Sequence, residues 1–534
     1  MKKQNLRDVC DFVSEPTEPT EKEGHLKSRT FQIKYERNAK KMNYYSTRSG
    51  KNAPAKTSAQ VIKQGLAEDG GLFMPESVPQ IDMAFIESLC GLDYFERAAK
   101  VLSLFLTDYT YDELLQCAKD AYNDTFDGFA APVSLLVGDD MRILELWHGP
   151  TCAFKDMALQ IMPRLLSLAL KKTDEKRTAH ILVATSGDTG KAALEGYKDV
   201  DQVRITVFYP EDGVSRMQKL QMATQEGDNV RVVAIKGNFD DAQTGVKQIF
   251  SDAQTAKKLD EAGMFLSSAN SINWGRLAPQ VVYYISAYCD LLTEKDIKPG
   301  EKVDITVPTG NFGNIFAAYI AKLMGLPVNK LICASNKNNI LTDFLTTGIY
   351  DRNRAFYTTM SPSMDILISS NLERLLYLIA GPEKTKGYME KLSKEGRYEV
   401  DTEVLAIIKE NFCAYFCDEE NCAATIRGIF DKYSYLSDTH TAVAIYAAER
   451  FIAEQATGYK NIVASTASPY KFAADVMRSL GRDVSGKEDK EVLAELAAYS
   501  KTEIPAPLAG LFVKPIRFTE SIAKDKNSME ACLF

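Results

Sequence analysis

An α/β fold, with mostly parallel twisted sheets flanked by helices, is the architecture that this sequence predicts. Short β-branched strands recur, each followed by a polar or glycine-bearing loop and then by an amphipathic helix, as in repeated βα units. These units begin near His180, Val203, Val230, Val303, Lys330 and Asn461. Ligands of such sheets bind beyond the carboxyl ends of the strands. The loops after these strands are therefore expected to carry the chemistry.

Three other segments complete the predicted organisation. Residues 1–41 mix charges of both signs with little hydrophobic periodicity, which predicts a flexible N-terminal extension before a folded body that opens at Met42. Residues 42–142 are predicted to form a mainly helical N-terminal lobe. The α/β region then covers residues 143–534 and includes a helix-rich insertion at about 350–435.

Composition and charge exclude several classes of partner. The chain has 534 residues, of which 45% are hydrophobic, as is ordinary for a globular protein. Its net charge is 64 − 72 = −8, so no overall basic field attracts nucleic acid or an anionic membrane. No uncharged stretch reaches the length of a membrane span. We expect a cytoplasmic protein, and an acidic globular chain of this kind can be a monomer or a homodimer.

Cysteine and histidine usage argues against a metal centre. The chain has ten cysteines and four histidines, and their spacing matches no zinc signature. Cys413, Cys417 and Cys422 are the nearest approach to a cluster, in a stretch that we predict to be helical. Free thiols in a reducing compartment are the expected state of these cysteines.

Lys155 stands between Ala153-Phe154 and the apolar run 157–159. A lysine in apolar surroundings loses hydration and shifts toward the neutral amine, which can form a Schiff base. The alternative is a lysine at a helix start whose stem lies on apolar surface while its ammonium reaches water. The residues around Lys155 leave both interpretations open.

The loop 309–314, TGNFGN, follows the apolar strand 303–307 and opens the helix 315–324. Two glycines allow the backbone to approach an anion, and the first amides of a helix carry partial positive charge, so a phosphate would fit there. The loop lacks the third glycine of a dinucleotide-binding motif. A tight turn between strand and helix, with no ligand, is the alternative.

The loop 185–190, TSGDTG, also joins a strand to a helix. It is not a nucleotide-binding P-loop, because Thr185 and Ala192 stand where that motif requires glycine and a hydroxyl residue. Its hydroxyl groups can bind a carboxylate or a phosphate. Helix capping by Ser186 or Asp188 is the alternative.

Two later segments are also rich in polar side chains. The loop 464–469, ASTASP, places hydroxyl groups at the end of a strand, where each can donate or accept a hydrogen bond. The segment 267–276, SSANSINWGR, combines asparagines with an arginine, a pair suited to a carboxylate or a phosphate. An ordinary exposed loop would have a similar composition.

A candidate Schiff-base lysine, a candidate phosphate loop and several hydroxyl loops on one α/β sheet together indicate a pyridoxal phosphate enzyme. The chain from Met42 onward resembles the threonine synthase family, which belongs to the fold type II, tryptophan synthase β-like enzymes. Six motifs carry this resemblance in the expected order: MNYYSTRSG with AEDGGLFMPESVP, LELWHGPTCAFKD, TSGDTG, ANSINWGRLAPQ, VPTGNFGN and STASPYKF.

The resemblance implies a role for individual residues. Lys155 would form the Schiff base with pyridoxal 5'-phosphate, and Thr466 would hydrogen-bond its pyridine nitrogen. The residues implied for the cofactor phosphate are Gly310, Asn311, Phe312, Gly313 and Asn314. The residues implied near the substrate are Ser186, Asp188, Thr189, Asn270 and Arg276. Ser468 departs from the family pattern, since many relatives have histidine there.

The activity implied by the resemblance is that of a lyase acting on a phosphate ester, the last step of threonine biosynthesis. O-phospho-L-homoserine and water would give L-threonine and phosphate by β,γ-replacement. One alternative is a phospholyase or dehydratase of the same fold that releases 2-oxobutyrate. Another is a non-catalytic relative, against which the presence of Lys155, the glycine loop and Thr466 argues.

Overall fold

Two mostly parallel β-sheets flanked by helices form the frame of the structure, which is a computed structural model. The ranges that the structure describes are 41–126, 133–138, 140–185, 187–211 and 214–534. The predicted flexible extension over residues 1–41 lies, except for Lys41, outside them. Residues Met42–Phe534 form one compact unit.

The strands within the described residues are β1 Tyr44–Ser46, β2 Phe73–Pro75, β3 Val133–Val137, β4 Met141–Glu145, β5 Thr178–Ala184, β6 Val203–Pro210, β7 Val230–Lys236, β8 Met264–Ser267, β9 Val303–Pro308, β10 Val328–Ser335, β11 Ile349–Asp351, β12 Arg397–Glu399, β13 Phe412–Phe416, β14 Lys460–Ser465 and β15 Ser521–Ala523. The larger sheet has the order β13-β10-β9-β14-β4-β3 and is parallel except for the antiparallel pair β3–β4. The second sheet has the order β15-β7-β6-β5-β8 and is parallel throughout.

The α-helices within the described residues are α1 Ser58–Gln64, α2 Met83–Glu87, α3 Tyr94–Ser103, α4 Tyr111–Ala121, α5 Asp156–Leu159, α6 Met162–Lys172, α7 Asp188–Tyr197, α8 Arg216–Ala223, α9 Phe239–Ser251, α10 Ala253–Glu261, α11 Trp274–Thr293, α12 Gly313–Met324, α13 Ile340–Thr347, α14 Leu372–Glu395, α15 Thr402–Asn411, α16 Glu419–Tyr433, α17 Thr439–Gln455, α18 Ala473–Ser479, α19 Asp489–Ser500, α20 Ala506–Ala509 and α21 Lys526–Ala531. Helix α14 is broken at Gly381, whose backbone leaves the helical region directly before Pro382. Short 3₁₀ helices cover Asp124–Phe126, Pro362–Met364, Pro469–Phe472 and Gly510–Val513.

The predicted α/β fold is confirmed. Each of the six predicted units contains a strand of a parallel sheet followed by a helix, from β5 with α7 to β14 with α18. Local sequence accounts for helix ends in the N-terminal region. At α4, for example, the Thr110 hydroxyl accepts a hydrogen bond from the Glu113 amide, and the Glu113 carboxylate accepts one from the Thr110 amide. Such a reciprocal cap satisfies two backbone donors that a helix start leaves free.

One prediction of local structure is wrong. The cysteine-containing stretch expected to be helical contains strand β13, which pairs with β10 at the edge of the larger sheet, Leu331 opposite Phe412. The run Phe-Cys-Ala-Tyr-Phe has the aromatic content typical of strands, and an open sheet edge offers it backbone partners. The helix-rich segment at 350–435 therefore contributes a strand to the frame.

Helix α11 is the central element of the core. Seventeen of its residues are buried, from Trp274 to Leu291, and a helix that is apolar all round must be enclosed on every side. The Trp274 indole lies between the rings of Tyr44 and Phe105, at centroid distances of 5.8 and 5.7 Å. This packing fixes the first turn of α11, which contains Arg276.

Gly196 makes the closest approach between helices near Lys155. A Cβ atom added to Gly196 would lie 1.9 Å from the carbonyl oxygen of Leu159, at the end of α5. We expect Gly196→Ala to lower the melting temperature by the equivalent of about 1–3 kcal/mol, because a backbone atom cannot give way as a flexible side chain would. Thermal unfolding followed by circular dichroism measures the change.

Gly428→Ala in α16 is the matched control for this prediction. No atom lies within 4 Å of a Cβ at Gly428, so alanine there should be neutral or stabilise by about 0.5–1 kcal/mol. Equal melting temperatures for the two variants would show that α5 and α7 are free to move apart.

Candidate active site

The candidate active site lies where loops from both sheets meet. In the larger sheet, β4, β14 and β9 are neighbours, and their carboxyl ends lead to Lys155, Thr466 and Gly310 respectively. In the second sheet, β5 leads to Asp188, at the first position of α7. Parallel topology brings together residues that are far apart in the sequence.

Backbone contacts join the loop of Lys155 to the loop of Thr466. The amide of Phe154 donates a hydrogen bond to the carbonyl oxygen of Thr466 at 2.8 Å, and Ala153 forms a β-bridge with Ala467. These contacts hold Lys155 beside the strand end that carries Thr466.

The side chain of Lys155 lies inside the protein, with only 11% of it exposed. Its Nζ atom is 3.8 Å from Asp188 Oδ2 and 4.8 Å from the centre of the Phe154 ring. Burial lowers the pKa of Lys155 to about 8; Asp188 opposes this shift, and the positive charges of Lys471 and Arg276 add to it. This environment favours the reactive-amine interpretation over a lysine that reaches into water.

The carboxylate of Asp188 uses its two oxygens differently. Oδ1 is 2.7 Å from Nζ of Lys471 and accepts a hydrogen bond from Gln218 at 2.9 Å. Oδ2 faces Lys155 and accepts a hydrogen bond from the Ser363 hydroxyl at 3.3 Å. Burial alone would raise the pKa of Asp188, but Lys471 and Lys155 together hold it well below its ordinary value. Asp188 is therefore ionised at neutral pH.

Sequence reasoning did not single out Lys471. Its side chain is fully buried, and besides contacting Asp188 its Nζ atom donates a hydrogen bond to the carbonyl oxygen of Thr151 at 2.9 Å. The signal was present, because Lys471 stands in the run Pro-Tyr-Lys-Phe just as Lys155 stands in Ala-Phe-Lys. An apolar setting is informative for both lysines.

Ser363 and His440 were also missed. The Nε2 atom of His440 accepts a hydrogen bond from the Ser363 amide at 3.1 Å, and its Nδ1 atom lies 2.9 Å from a carboxylate oxygen of Asp438. His440 is therefore oriented by Asp438 and in turn holds the backbone of Ser363. No signal in the sequence marked this pair, since Asp438 also caps α17 as an ordinary helix start would require.

The glycine loop is closely covered by this segment. A Cβ atom added to Gly310 would lie 2.9 Å from the carbonyl oxygen of Ser363. Phe312 has a left-handed backbone conformation, with φ of 60°. That conformation is uncommon for a bulky side chain, and such strain concentrates at ligand-binding sites.

Asn314 provides the test of whether a phosphate fits. Its Oδ1 atom accepts hydrogen bonds from the hydroxyls of Tyr283 and Tyr284, both at 2.6 Å. Its Nδ2 atom is buried and has no partner among the described residues. An unpartnered donor in the first turn of α12, after two glycines, suits an anionic oxygen. The residues present fit a phosphate group.

The structure describes four of the five residues predicted near the substrate. Arg276 is buried near Lys155 and donates a hydrogen bond to the carbonyl oxygen of Ala269 at 2.8 Å, while its Nε atom has no partner among the described residues. Burial lowers the pKa of Arg276 to about 10. Thr189 and Asn270 are half-buried, and no side-chain hydrogen bond connects either one to Lys155 in the described part of the chain. Ser186 lies outside the described residues.

Neither a metal-binding cluster nor a membrane-spanning helix is present in the described residues. They contain no group of three or more histidine, cysteine, aspartate or glutamate side chains arranged to hold a metal ion. No helix in these ranges is long and apolar enough to cross a membrane.

Three known families match this chain, the second and third over partly shared residues. Residues 43–122 match the family described as threonine synthase N terminus, residues 137–466 match that of pyridoxal-phosphate dependent enzymes, and residues 441–532 match threonine synthase, C-terminal. Together these matches cover most of the chain.

Individual relatives agree with these matches. The human protein threonine synthase-like 1 is 40% identical over 459 residues, which are 84% of this chain but only 61% of that protein. Threonine synthase from Pseudomonas aeruginosa is 37% identical over 481 residues, which are 90% of this chain and 95% of that enzyme. The crystal structure of pyridoxal phosphate-bound threonine synthase from Brucella melitensis is 36% identical, with a TM-score of 0.82 over 92% of this chain and 98% of that one.

Asn314 allows the phosphate site to be tested separately from folding. Asn314→Asp keeps an acceptor for both tyrosines but replaces the free donor with a negative charge, so we expect affinity for pyridoxal phosphate to fall by at least about tenfold. Asn314→Ala should also lower the melting temperature, because two buried hydroxyls lose their acceptor. Cofactor titration followed by absorbance measures the affinity, and wild-type affinity in Asn314→Asp would place the phosphate elsewhere.

Proposed function

This chain belongs to the threonine synthase family of pyridoxal phosphate-dependent enzymes, and from that premise we propose that it converts O-phospho-L-homoserine and water to L-threonine and phosphate. One observation carries the proposal: the amine of Lys155 is buried 3.8 Å from an ionised carboxylate, and Ser363, which donates to that carboxylate, also lies against Gly310 of the loop that fits a phosphate. A lysine and a phosphate loop are the two groups that pyridoxal phosphate requires.

The cofactor residues are proposed as the sequence predicts them. Lys155 binds the aldehyde group and Thr466 binds the pyridine nitrogen. The phosphate is held by Gly310, Asn311, Phe312, Gly313 and Asn314. Pyridoxal phosphate, when bound, supplies an electron sink for removal of the α proton of an amino acid. The side chains described here supply orientation, charge and proton transfer.

Lys155 is proposed as the acid and base of the reaction. With a pKa of about 8, its amine can accept a proton and return it near neutral pH, as general acid–base catalysis requires. Asp188 stabilises the protonated form, because its ionised Oδ2 atom faces the ammonium. Removal of the α proton and of the β proton can both use this one amine.

The charge of the site matches an anionic phosphate ester. Lys155, Lys471 and Arg276 contribute positive charges, whereas Asp188 is the ionised carboxylate among them. Burial raises the pKa of the neighbouring Asp156 to about 6, which reduces the negative charge that it adds in mildly acidic solution. Such a site attracts a substrate that carries a phosphate and a carboxylate. Ser186, Thr189 and Asn270 are proposed as further contacts with it.

The cellular setting is part of the proposal. Eight cysteines within the described residues are free thiols, which suits a cytoplasmic protein; they are Cys90, Cys117, Cys289, Cys333, Cys413, Cys417, Cys422 and Cys532. The proposed partner is a small-molecule substrate, and neither nucleic acid nor a membrane is required.

The products that the protein forms from O-phospho-L-homoserine test the proposed function. We expect the purified protein with pyridoxal phosphate to release threonine and phosphate in equal amounts, measured by amino-acid analysis and a phosphate assay. Lys155→Ala should lower the rate by at least about 10³-fold, because the residue loses both its cofactor link and its proton transfer.

The alternative activities give different products. Phosphate together with 2-oxobutyrate would identify a phospholyase; the relatives named threonine synthase-like 1 make this comparison necessary, since their name states a likeness. No phosphate from the wild-type protein would mean that the site serves another substrate or no reaction.

A further inference from the structure

Lys471 ties together three segments of the site. It belongs to the 3₁₀ helix Pro469–Phe472 after β14, its Nζ atom donates to the carbonyl oxygen of Thr151 in the loop after β4, and it pairs with Asp188 at the start of α7. A buried ion pair seldom stabilises a fold more than apolar side chains of the same size would. We therefore expect the Lys471–Asp188 pair to act on the reactivity of Lys155, which Asp188 also contacts.

The contacts of Asp188 fix which of its oxygens faces Lys155. Lys471 and Gln218 bind Oδ1 at 2.7 and 2.9 Å, and Ser363 donates to Oδ2. Rotation of the carboxylate would break the charged contact with Lys471. Oδ2 is thus kept pointing at the amine of Lys155, 3.8 Å away.

Charged groups from four elements act on Lys155. Burial favours the neutral amine, and so do Lys471 from the 3₁₀ helix and Arg276 from α11. Asp188 from α7 and Asp156 from α5 favour the protonated form. Lys471 acts twice, because its own charge repels a second ammonium and because it takes a share of the negative charge of Asp188.

We propose that Lys471 is a positioning residue that acts through Asp188 to keep the amine of Lys155 neutral enough to capture the cofactor and to accept a proton. This inference rests on the proposed function, in which Lys155 is the amine that binds the aldehyde. In that capture the neutral amine attacks the aldehyde carbon, a carbon–nitrogen double bond forms, and the carbonyl oxygen leaves as water with both amine protons. An ammonium has no lone pair for this step.

The test measures how fast cofactor-free protein binds pyridoxal phosphate covalently as a function of pH, by absorbance after rapid mixing. The wild-type rate should rise with pH to a midpoint near the pKa of about 8 of Lys155. Lys471→Met should move the midpoint up by about one pH unit, which lowers the rate at pH 7 about tenfold. Lys471→Arg, which keeps the charge, should stay nearer the wild-type midpoint than Lys471→Met.

A matched control is available in α7. Lys191 is also buried and pairs with a carboxylate, that of Glu195 at 2.9 Å. Lys191→Met therefore removes a buried paired lysine with little effect expected on Lys155, and its midpoint should remain that of the wild type. A wild-type midpoint in folded Lys471→Met would overturn the proposal and leave Lys471 a purely structural role.

Asp188→Asn separates action through Asp188 from direct repulsion. Asp188→Asn alone should lower the midpoint, because the anion that favours the ammonium is removed. Adding Lys471→Met to this variant should shift the midpoint by less than half of its shift in the wild-type background. An equal shift in both backgrounds would show that Lys471 acts by its own charge alone, against the proposal.

Folding and function are kept apart in this experiment. If Lys471→Met alone does not fold, Lys471→Gln, which removes the charge but keeps a polar side chain beside Asp188, replaces it in both backgrounds, so that the two shifts can still be compared. The assay contains no O-phospho-L-homoserine. Failure of the proposed reaction would therefore appear in the product assay, and failure of the Lys471 inference in the cofactor midpoint.

Discussion

A carboxylate shared by two buried lysines is the interaction on which the site depends. Burying the carboxylate of Asp188 costs about several kcal/mol of desolvation free energy, as for other buried ions. The contacts with Lys471 and Lys155 offset that cost. Gly187 allows the backbone directly before Asp188 to lie close to the side chain of Gln218. Its φ of 145° is accessible to glycine, and a Cβ there would lie 2.4 Å from the side chain of Gln218, which also binds Asp188.

The same carboxylate joins parts of the molecule that would otherwise only be neighbours. Asp188 comes from the five-stranded sheet, whereas Lys155 and Lys471 follow strands of the six-stranded sheet. Ser363 connects the helix-rich segment to the same carboxylate. Its hydroxyl donates a hydrogen bond to Asp188, and its carbonyl oxygen lies over Gly310. Because His440 holds the Ser363 backbone, a substitution at His440 should disturb both the cover over Gly310 and the contact with Asp188. The helix-rich segment is part of the site in this respect.

The sequence predicts those features whose signal is local. The βα units follow from strand and helix periodicity, and the apolar neighbours of Lys155 make it a candidate reactive amine without excluding a helix-start lysine that reaches water. The cysteine-containing stretch around Phe412–Phe416 has apolar faces that predict a helix, and only pairing with β10 decides that these five residues form a strand. Lys471, Ser363 and His440 gain their meaning from Asp188, a partner that no nearby residue identifies.

Arg276 and Arg374 are both buried in the protein. Within the described residues, neither Arg276 nor Arg374 makes an ion pair; Arg276 donates to the carbonyl oxygen of Ala269, and Arg374 donates to that of Ile272 at 2.6 Å. Burial lowers the pKa of Arg374 to about 9, a sign of how much its charge is disfavoured there. Carbonyl dipoles compensate a buried cation less completely than an anion does. Arg276, whose charge acts on Lys155, therefore offers an anionic ligand a cation that no carboxylate of the described residues pairs, and an anion bound there should raise the free energy of unfolding.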